Sequence, residues 1–375
     1  MGYVYLDYPE LRGFCQSVFC GYGFTEQESG EIADVILAAD LNGIESHGVQ
    51  RMVRYAYEIR SGMVDVHAKP EVVHETPISA VMDAHNAMGQ LVGRQAMRLA
   101  IEKAKHSGCG MVVVRCSNHY GIAGYYTEMA REVDLLGICM TNTEEIMVPT
   151  HGKTPMIGTN PIALSMPADP IPFLFDCATT VVPRGKFEVY AKRGDPVPVG
   201  WGVDERGLDS DDASRVLENI IGKAGGGILP LGGSTEMTGG HKGYGLGVIV
   251  ELFTGILSGG TTADRIYRTG SGSGICQSFI AIDYGLFGNR TEIRASFSEY
   301  LDRIRNSPKA EGCTRIYTHG EKEAECRKIR RTTGIPVNEK TLQELRNIAE
   351  ELGCTASFPH IVRGPVHPSD ISGQG

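Results

Sequence analysis

The spacing of the apolar residues changes twice along the chain, and this change limits the folds open to it. Up to about residue 72 the apolar positions recur at helical intervals, as at Ile32, Val35 and Ile36. Thr25 and Glu28 form a capping-box pattern ahead of them, so a helix over residues 25–41 is predicted. Helical spacing returns near the C-terminus after Asn338, a suitable N-cap. The two ends of the chain are therefore expected to build one helical lobe that is discontinuous in sequence.

Between residues 73 and 288 the pattern is one of short apolar runs separated by glycine and proline, which is typical of strands. The sequence predicts an α/β fold with a mixed sheet. The predicted division of the chain is an N-terminal part of the helical lobe (1–72), a mixed α/β domain (73–288), the returning lobe (289–358) and a poorly ordered tail (359–375). The predicted strands lie at 80–84, 111–114, 137–140, 162–166, 173–177 and 279–282, with a helix over 90–106.

Composition excludes several classes of function. The 375 residues carry a net charge of −9 without a long Lys/Arg run, which argues against a nucleic-acid or membrane partner. The N-terminus lacks a signal-peptide pattern, so a cytoplasmic location is expected. The most apolar stretch, 246–257, is too short to span a bilayer and is predicted to be a buried helix.

The usual nucleotide-binding and metal-binding patterns are absent from the sequence. Neither GxGxxG after a strand nor GxxxxGK[ST] occurs, which rejects a Rossmann or P-loop interpretation. The ten cysteines form no CxxC pair and the eleven histidines no HxxxH or HExxH spacing, so no metal site is predicted.

The segment Ser46-His47-Gly48 is the first candidate for chemistry. A helix is predicted to begin at Ser46 or His47 and to run through Tyr57, which would place His47 and Arg51 on one face. The helix dipole would disfavour imidazolium at His47, and Arg51 could hold a carboxylate. The alternative is that Ser46 caps the helix and His47 is an ordinary exposed histidine.

Three further segments combine polar residues with turns. Asn118 and His119 follow a predicted strand, where α/β proteins place ligand-binding loops, although both could simply satisfy backbone groups in a turn. Asp176 and the following residues lie at a similar junction, with capping as the alternative. His241 and Lys242 lie among glycines just before the predicted buried helix and could hold a phosphate, unless the segment is a plain glycine-rich turn.

Together these segments resemble the malate/L-lactate dehydrogenase family, whose nicotinamide-cofactor fold is not the Rossmann fold. The resemblance covers nearly the whole chain and rests on several motifs in the same order. They are DLNGIESHGVQR (40–51), SNHYGIAGYY (117–126), GTNPI (158–162), DCATTVVPRGK (176–186), GGHKGYGL (239–246) and HGEKEAE (319–325).

The resemblance implies hydride transfer between NAD or NADP, with NAD slightly favoured, and a small 2-hydroxy or 2-oxo carboxylate. It assigns the proton-donor role to His47 or, as in some relatives, to His119. Arg51 and Ser46 would hold the carboxylate and the carbonyl. The implied cofactor contacts, within the 73–288 domain and beyond it, are Thr143, Asp176, Cys177, Ala178, Thr179, Lys186, His241, Lys242, Gly320 and Glu321.

The resemblance also favours malate and oxaloacetate as substrates, with lactate, ureidoglycolate, sulfolactate and cyclic imines as alternatives. It implies a homodimer whose active sites are shared between subunits. Two other classes remain open: a catalytically silent cofactor sensor, and a hydrolase using one of the histidines. Retention of His47, Arg51 and His119 disfavours the sensor.

Overall fold

The computed structural model describes residues 2–268, 270, 272–354 and 358–366. Its first core belongs to the helical lobe. Thr25 caps α2 through the predicted capping box, with its side chain accepting from the Glu28 N–H and the Glu28 carboxylate accepting in return. The apolar faces of the N-terminal helices pack together around Phe14, Ile36 and Tyr55. These helices are α1 (Tyr8–Gly21), α2 (Glu26–Leu41) and α3 (Met52–Arg60).

The C-terminal part of the chain returns to this lobe. Strand β1 (Tyr3–Leu6) pairs antiparallel with both β12 (Ile335–Asn338) and β13 (Ile361–Val366). Asn338 caps α11 (Glu339–Glu351) as predicted, and Leu342, Leu345 and Ile348 enter the same apolar cluster as α1 and α2. The lobe is therefore discontinuous in sequence, as expected.

The second core covers one face of a seven-stranded mixed sheet with the order β2-β3-β4-β11-β5-β6-β7. Only β3 and β4 run parallel; the other neighbours pair antiparallel. This topology is not that of a Rossmann sheet, which is mostly parallel. The strands are β2 (Glu71–Glu75), β3 (Ser79–Asp83), β4 (Cys109–Ser117), β5 (Leu136–Thr141), β6 (Ile162–Met166), β7 (Phe173–Cys177) and β11 (Ile275–Ile282).

Helices cover both faces of this sheet. On one face, α4 (Gly89–Ser107) and α5 (Ala123–Arg131) bury small residues, and Tyr120, Tyr126 and Phe279 form an aromatic stack beside them. On the other face, α8 (Gly240–Glu251) and a π-helical turn (Leu252–Ile256) pack through Val250 and Phe253.

The remaining elements extend from the edge of the sheet. Phe187 and Val216 fill a small core between α6, α7 and the short strands beside them, and Phe297 of α9 packs edge-on against Phe173 of β7, with ring centroids 5.7 Å apart. These elements are α6 (Arg184–Arg193), α7 (Ala213–Gly222), β8 (Gly202–Val203), β9 (Asp209–Ser210), β10 (Gly227–Ile228), α9 (Arg290–Asn306) and α10 (Glu321–Thr333).

The prediction of a buried helix over 246–257 is wrong. The segment is helical, but only one side of it meets the sheet. Leu246, Ile249, Leu252 and Ile256 are 38%, 44%, 46% and 57% exposed. Periodicity could not reveal this, because an apolar run looks the same whether its own chain or another molecule covers it.

The segment predicted as a tail begins with a strand, since β13 lies at its start and pairs with β1. Residues 367–375, which the same prediction covers, lie outside the described residues. The domain boundaries at 72, 288 and 358 stay predictions. Within the described residues, no helix combines the length and apolarity needed to cross a membrane.

Candidate active site

The chain between α2 and α3 does not form the predicted helix starting at Ser46 or His47. It makes two short 3₁₀ turns, Glu45–His47 and Val49–Arg51, separated by Gly48 at φ −86° and ψ −148°. We call residues 45–51 the catalytic turn, because they include Ser46, His47 and Arg51, which are predicted to be catalytic. Because the turns are separate, the i, i+4 helical geometry predicted for His47 and Arg51 is wrong.

A buried carboxyl group explains the break at Gly48. A Cβ atom at that position would lie 1.9 Å from Asp40 Oδ1, and Asp40 Oδ2 accepts a 2.8 Å hydrogen bond from the Val49 N–H. Burial raises the pKa of Asp40 to about 8. Only glycine fits against this carboxyl group, so the packing requires glycine at position 48.

The structure brings His47 and His119 together from two parts of the chain. Their rings stack with centroids 5.6 Å apart and planes inclined by 27°. Ser46 Oγ lies 2.9 Å from His47 Nδ1, and the Tyr55 hydroxyl lies 2.7 Å from His119 Nδ1. Both histidines keep a partly exposed edge, whereas Tyr55 is fully buried.

The contacts of His119 determine which of its ring nitrogens carries the proton. The Gly121 N–H also points towards Nδ1, at 3.5 Å, and an N–H can only donate. His119 Nδ1 is therefore the acceptor and the Tyr55 hydroxyl the donor, which leaves the neutral ring protonated on Nε2. An Nε2–H can donate to the oxygen of a ligand.

Arginines set the electrostatics of the histidine pair. Burial, followed by the charges of Arg51 and Arg54, lowers the pKa of His47 to about 4. Burial, Arg54, His47 and Arg51 together lower the pKa of His119 well below its ordinary value. Both rings are therefore neutral at pH 7 in the absence of a bound anion.

Arg51 is fixed at one end and open at the other. Its Nε donates to the Ser46 carbonyl at 2.5 Å, and no described residue pairs with its terminal nitrogens. Arg54, by contrast, is held by Glu58 at 2.7 Å and by the Tyr267 hydroxyl. Arg51 can therefore offer two N–H donors to a carboxylate next to the histidines.

Asn118 satisfies backbone groups in the turn, which was the alternative to a role in ligand binding. Its side chain donates to the carbonyls of Asn86 and Ala87 at 2.9 and 3.1 Å and accepts from Ser273 Oγ at 2.9 Å. Asn118 is 1% exposed and holds the loop that presents His119.

Two of the predicted cofactor residues, Thr143 and Thr179, belong to a second region. The Thr159 N–H donates to Thr143 Oγ1 at 2.9 Å, and Thr179 Oγ1 donates to the Thr159 carbonyl at 3.0 Å. The Leu231 N–H in turn donates to the Thr179 carbonyl, and a Cβ on Gly243 would lie 2.2 Å from the Leu231 carbonyl oxygen. A continuous strip therefore runs from Thr143 and Thr179 to the start of α8.

His241 and Lys242 lie in the first turn of α8, not before it as predicted. Gly239 precedes the helix at φ +90°, a conformation that glycine adopts readily. Both side chains are exposed, and neither has a hydrogen-bond or ion-pair partner among the described residues. The free N–H groups of a first turn and a cation beside them suit an anionic ligand.

Asp176 has a structural contact of its own. Its Oδ2 accepts from the Gly124 N–H in the first turn of α5 at 2.7 Å, and burial raises its pKa to about 6. It does not orient a histidine among the contacts described. Gly320 packs closely on the same strand, since a Cβ there would lie 2.8 Å from the Pro172 carbonyl oxygen.

Some of the other predicted cofactor residues are accessible, whereas the side chain of Glu321 is engaged in contacts within the protein. Cys177 and Lys186 are exposed and Ala178 is partly buried. Glu321 is 1% exposed, and its carboxylate already accepts from Arg305, Arg315 and the Thr318 hydroxyl. Its side chain therefore holds the start of α10.

Sequence reasoning missed Tyr55 and Arg54 as members of the site. Tyr55 lies four residues after Arg51 and next to Arg54 within α3, so helical spacing from Arg51 was the available signal. Asp40 is part of the motif at residues 40–51, but the sequence assigned it no role. Nothing in the local sequence shows that its carboxyl group contacts Gly48.

The fold combines a histidine pair and an arginine with a strip of predicted cofactor residues that leads to the first turn of a helix, an arrangement that suits an enzyme with two substrates. The sequence model of the malate/L-lactate dehydrogenase family matches residues 6–346. The chain belongs to the malate/L-lactate dehydrogenase family and is an oxidoreductase of the dehydrogenase type.

Individual relatives agree with this. The chain is 44% identical to a malate dehydrogenase of Pyrococcus abyssi over 352 residues, covering 94% of this chain and 96% of the relative. It is 37% identical to an L-sulfolactate dehydrogenase of Methanocaldococcus jannaschii, covering 88% and 92%. The solved malate dehydrogenase of Entamoeba histolytica superposes with a TM-score of 0.91 at 35% identity, covering 95% of this chain and all of that one.

Proposed function

We propose that the protein interconverts malate and oxaloacetate with a nicotinamide cofactor. One observation carries the proposal: two neutral histidines stack beside an arginine whose terminal nitrogens have no described partner. A 2-oxo acid needs these two components, a cation for its carboxylate and a proton donor for its carbonyl oxygen. The malate dehydrogenase relative supports the choice of substrate.

Arg51 holds the carboxylate in this proposal. Its Nε bond to the Ser46 carbonyl fixes the guanidinium beside His47, so the substrate's carbonyl faces the imidazole. Arg54 supplies a second positive charge close to both rings, although Glu58 partly neutralises it. A second carboxylate on the substrate would gain from this charge.

His47 transfers the proton. In the oxidation direction the neutral ring accepts the hydroxyl proton of malate, and its lowered pKa keeps it in the base form. In the reduction direction the bound oxo acid offsets the charges of Arg51 and Arg54, raises the pKa of His47 and allows the ring to carry the proton to the oxygen. His119, with its Nε2–H, donates a hydrogen bond to the same oxygen.

The residues of the strip suit a dinucleotide. Lys242 and the first turn of α8 would hold phosphate, and Gly243 lets this turn pack closely on the Leu231 backbone. Thr143, Thr179, Cys177, Ala178 and Lys186 would border the dinucleotide, with NAD slightly favoured over NADP. A bound reduced nicotinamide supplies hydride to the carbonyl carbon.

The test is turnover of the purified protein with NADH and NADPH in turn, followed at the absorbance of the reduced nicotinamide. Oxaloacetate, pyruvate, sulfopyruvate and a cyclic imine are offered to the wild type and to His47→Ala and His119→Ala. The proposal expects oxaloacetate to be the best substrate and His47→Ala to lose about 10²- to 10⁴-fold in kcat. Cofactor binding without turnover of any of them would support the sensor instead.

We also propose that the protein is a homodimer joined through α8 and the π-helical turn. Leu246, Ile249, Leu252 and Ile256 expose apolar side chains on one continuous element, which is the kind of patch that a partner covers. Because His241 and Lys242 begin the same element, the contact would bring two subunits to each site.

Sedimentation of the wild type and of the double variant Leu252→Asp/Ile256→Asp tests the dimer. A mass of two chains in the wild type and one chain in the variant is expected. A control, Val72→Asp, changes an exposed apolar residue of the edge strand β2 and keeps the mass of two chains. A wild-type mass of one chain, with activity retained on dilution, would refute the dimer.

A further inference from the structure

Helix α10 lies between a cavity and the catalytic turn. One side of the helix lines a cavity of about 280 Å³, together with α5 and β7; the lining includes Arg131, Leu174, Gly320, Glu323 and Arg331. The other side packs on the end of α2, where a Cβ at Gly43 would lie 3.1 Å from Cys326 Sγ. The helix that begins beside Gly320 therefore also touches the chain that carries His47.

Arg330 makes the decisive contacts. It is 7% exposed, and its Nη1 donates to the Asp40 carbonyl at 2.5 Å. Its Nη2 donates to Glu45 Oε1 at 2.6 Å. One guanidinium thus joins the end of α2 to the first residue of the catalytic turn.

The Asp40 side chain completes this arrangement from the other direction. Its carboxyl group accepts from the Val49 N–H and packs against Gly48. Arg330 and Asp40 therefore hold the turn before and after His47, at Glu45 and at Val49. Arg327 adds a neighbouring brace by donating to Asn42 Oδ1 at 2.8 and 3.0 Å.

Energetics favour a fixed geometry here. A nearly buried guanidinium that loses its carboxylate is costly, so Arg330 and Glu45 hold each other in place. Two 3₁₀ turns have few hydrogen bonds of their own, and Ser46, His47 and Arg51 all depend on them. A catalytic imidazole displaced by about 1 Å can cost about 100-fold in rate.

We propose that Arg330 is a positioning residue that holds the catalytic turn so that His47 and Arg51 face the same ligand. The inference rests on the proposed function of His47 and Arg51 and extends it to a residue that touches neither substrate nor cofactor.

Four variants test the proposal by steady-state kinetics: Arg330→Met, Arg330→Lys, Glu45→Gln and the double variant Arg330→Met/Glu45→Gln. Arg330→Met is expected to lose about 30-fold in kcat, with the KM for the cofactor changed less than about 2-fold. Arg330→Lys recovers part of the rate. The double variant is no slower than Arg330→Met, because both changes remove the same contact.

A control separates positioning from general damage. Arg94→Met breaks another ion pair that is largely buried, with Glu31 at 3.0 Å, away from the turn. It is expected to keep kcat within about 2-fold while lowering the melting temperature as much as Arg330→Met does. Equal losses of kcat in Arg94→Met and Arg330→Met would overturn the proposal.

A second readout does not depend on turnover. The pKa of His47 is measured by NMR of histidine labelled with ¹³C, with His47→Gln used to assign the signal. Burial, followed by the charges of Arg51 and Arg54, holds the pKa of this imidazole at about 4, and the His119 ring stacks on it. In Arg330→Met the turn loosens and Glu45 loses its partner, so the pKa of His47 rises towards about 6.5.

The two readouts distinguish the two proposals. A raised His47 pKa in Arg330→Met, with no oxo-acid turnover in any variant, would support positioning and contradict the proposed function. Turnover in the wild type with an unchanged His47 pKa and unchanged kcat in Arg330→Met would overturn the positioning role alone.

Discussion

The histidine pair and the first turn of α8 are built in opposite ways. His47 and His119 each have a hydrogen-bond partner on Nδ1, and their loop and turn are held by Asn118 and Asp40. His241 and Lys242 are exposed and have no partner among the described residues. One region is organised before a ligand arrives, whereas the other offers charge and bare backbone.

Under the proposed function, this difference is a division of labour between proton transfer and cofactor binding. Proton transfer depends on sub-ångström geometry, so its groups are held by buried contacts. Binding of a phosphate tolerates a flexible ammonium group, because a point charge is effective in many geometries.

Gly48→Ala is expected to have the largest effect. Its Cβ would lie 1.9 Å from Asp40 Oδ1, so the catalytic turn must move. We expect a loss of at least about 100-fold in kcat/KM and about 1–3 kcal/mol in the free energy of unfolding. Gly13→Ala, at a helical position with nothing within 4 Å, is the matched control and should be neutral or stabilising. Wild-type kinetics in Gly48→Ala would show that the turn is not fixed.

Tyr55→Phe is expected to lower kcat about 5-fold, since one net hydrogen bond is worth about 1 kcal/mol. Without the hydroxyl, His119 Nδ1 loses its 2.7 Å donor and keeps only the 3.5 Å contact from the Gly121 N–H. The KM for the cofactor should not change. Tyr57→Phe, at a side chain that is 60% exposed, is the control. Identical kinetics for both variants would mean that the tautomer of His119 has no part in the reaction.

The pH dependence of kcat/KM tests the lowered pKa of His47 without any substitution. Because burial, Arg51 and Arg54 lower the pKa of His47 to about 4, the free enzyme keeps a neutral base down to about pH 5. The kcat/KM for hydroxy-acid oxidation should stay flat from pH 8 to about 5.5 and then fall as the pH approaches 4. A fall centred near pH 6.5, the ordinary value for histidine, would contradict the account of the buried pair.

Sequence patterns predicted helices and strands best where contacts between residues close in sequence determine the structure. Strands 162–166 and 173–177 coincide with β6 and β7, and the capping box of α2 is present. The helix predicted from Ser46 through Tyr57 was wrong in its first part because the Asp40 carboxyl group, on the preceding helix, packs against Gly48 and breaks the helix there. The exposure of α8 depends on what covers it, which apolar spacing does not encode.

The candidate site shows the same limit. The resemblance supplied His47, His119 and Arg51, and the structure brings the two histidines together. Arg330 contacts Glu45 across 285 residues, so no local motif marks it, whereas for Tyr55 the available signal was its helical spacing from Arg51. Glu321 was predicted to contact a cofactor, but its carboxylate is engaged within the protein.

The most direct test of the division of labour compares Arg51→Met with Lys242→Met, with Lys105→Met on the exposed side of α4 as the control. Both substrates are varied in steady-state assays with NADH and oxaloacetate. The account predicts that Arg51→Met raises the KM for oxaloacetate, that Lys242→Met raises the KM for NADH by about 10-fold, and that neither changes the other constant by more than about 2-fold. Equal effects of Lys242→Met on both constants, or none on NADH, would contradict it.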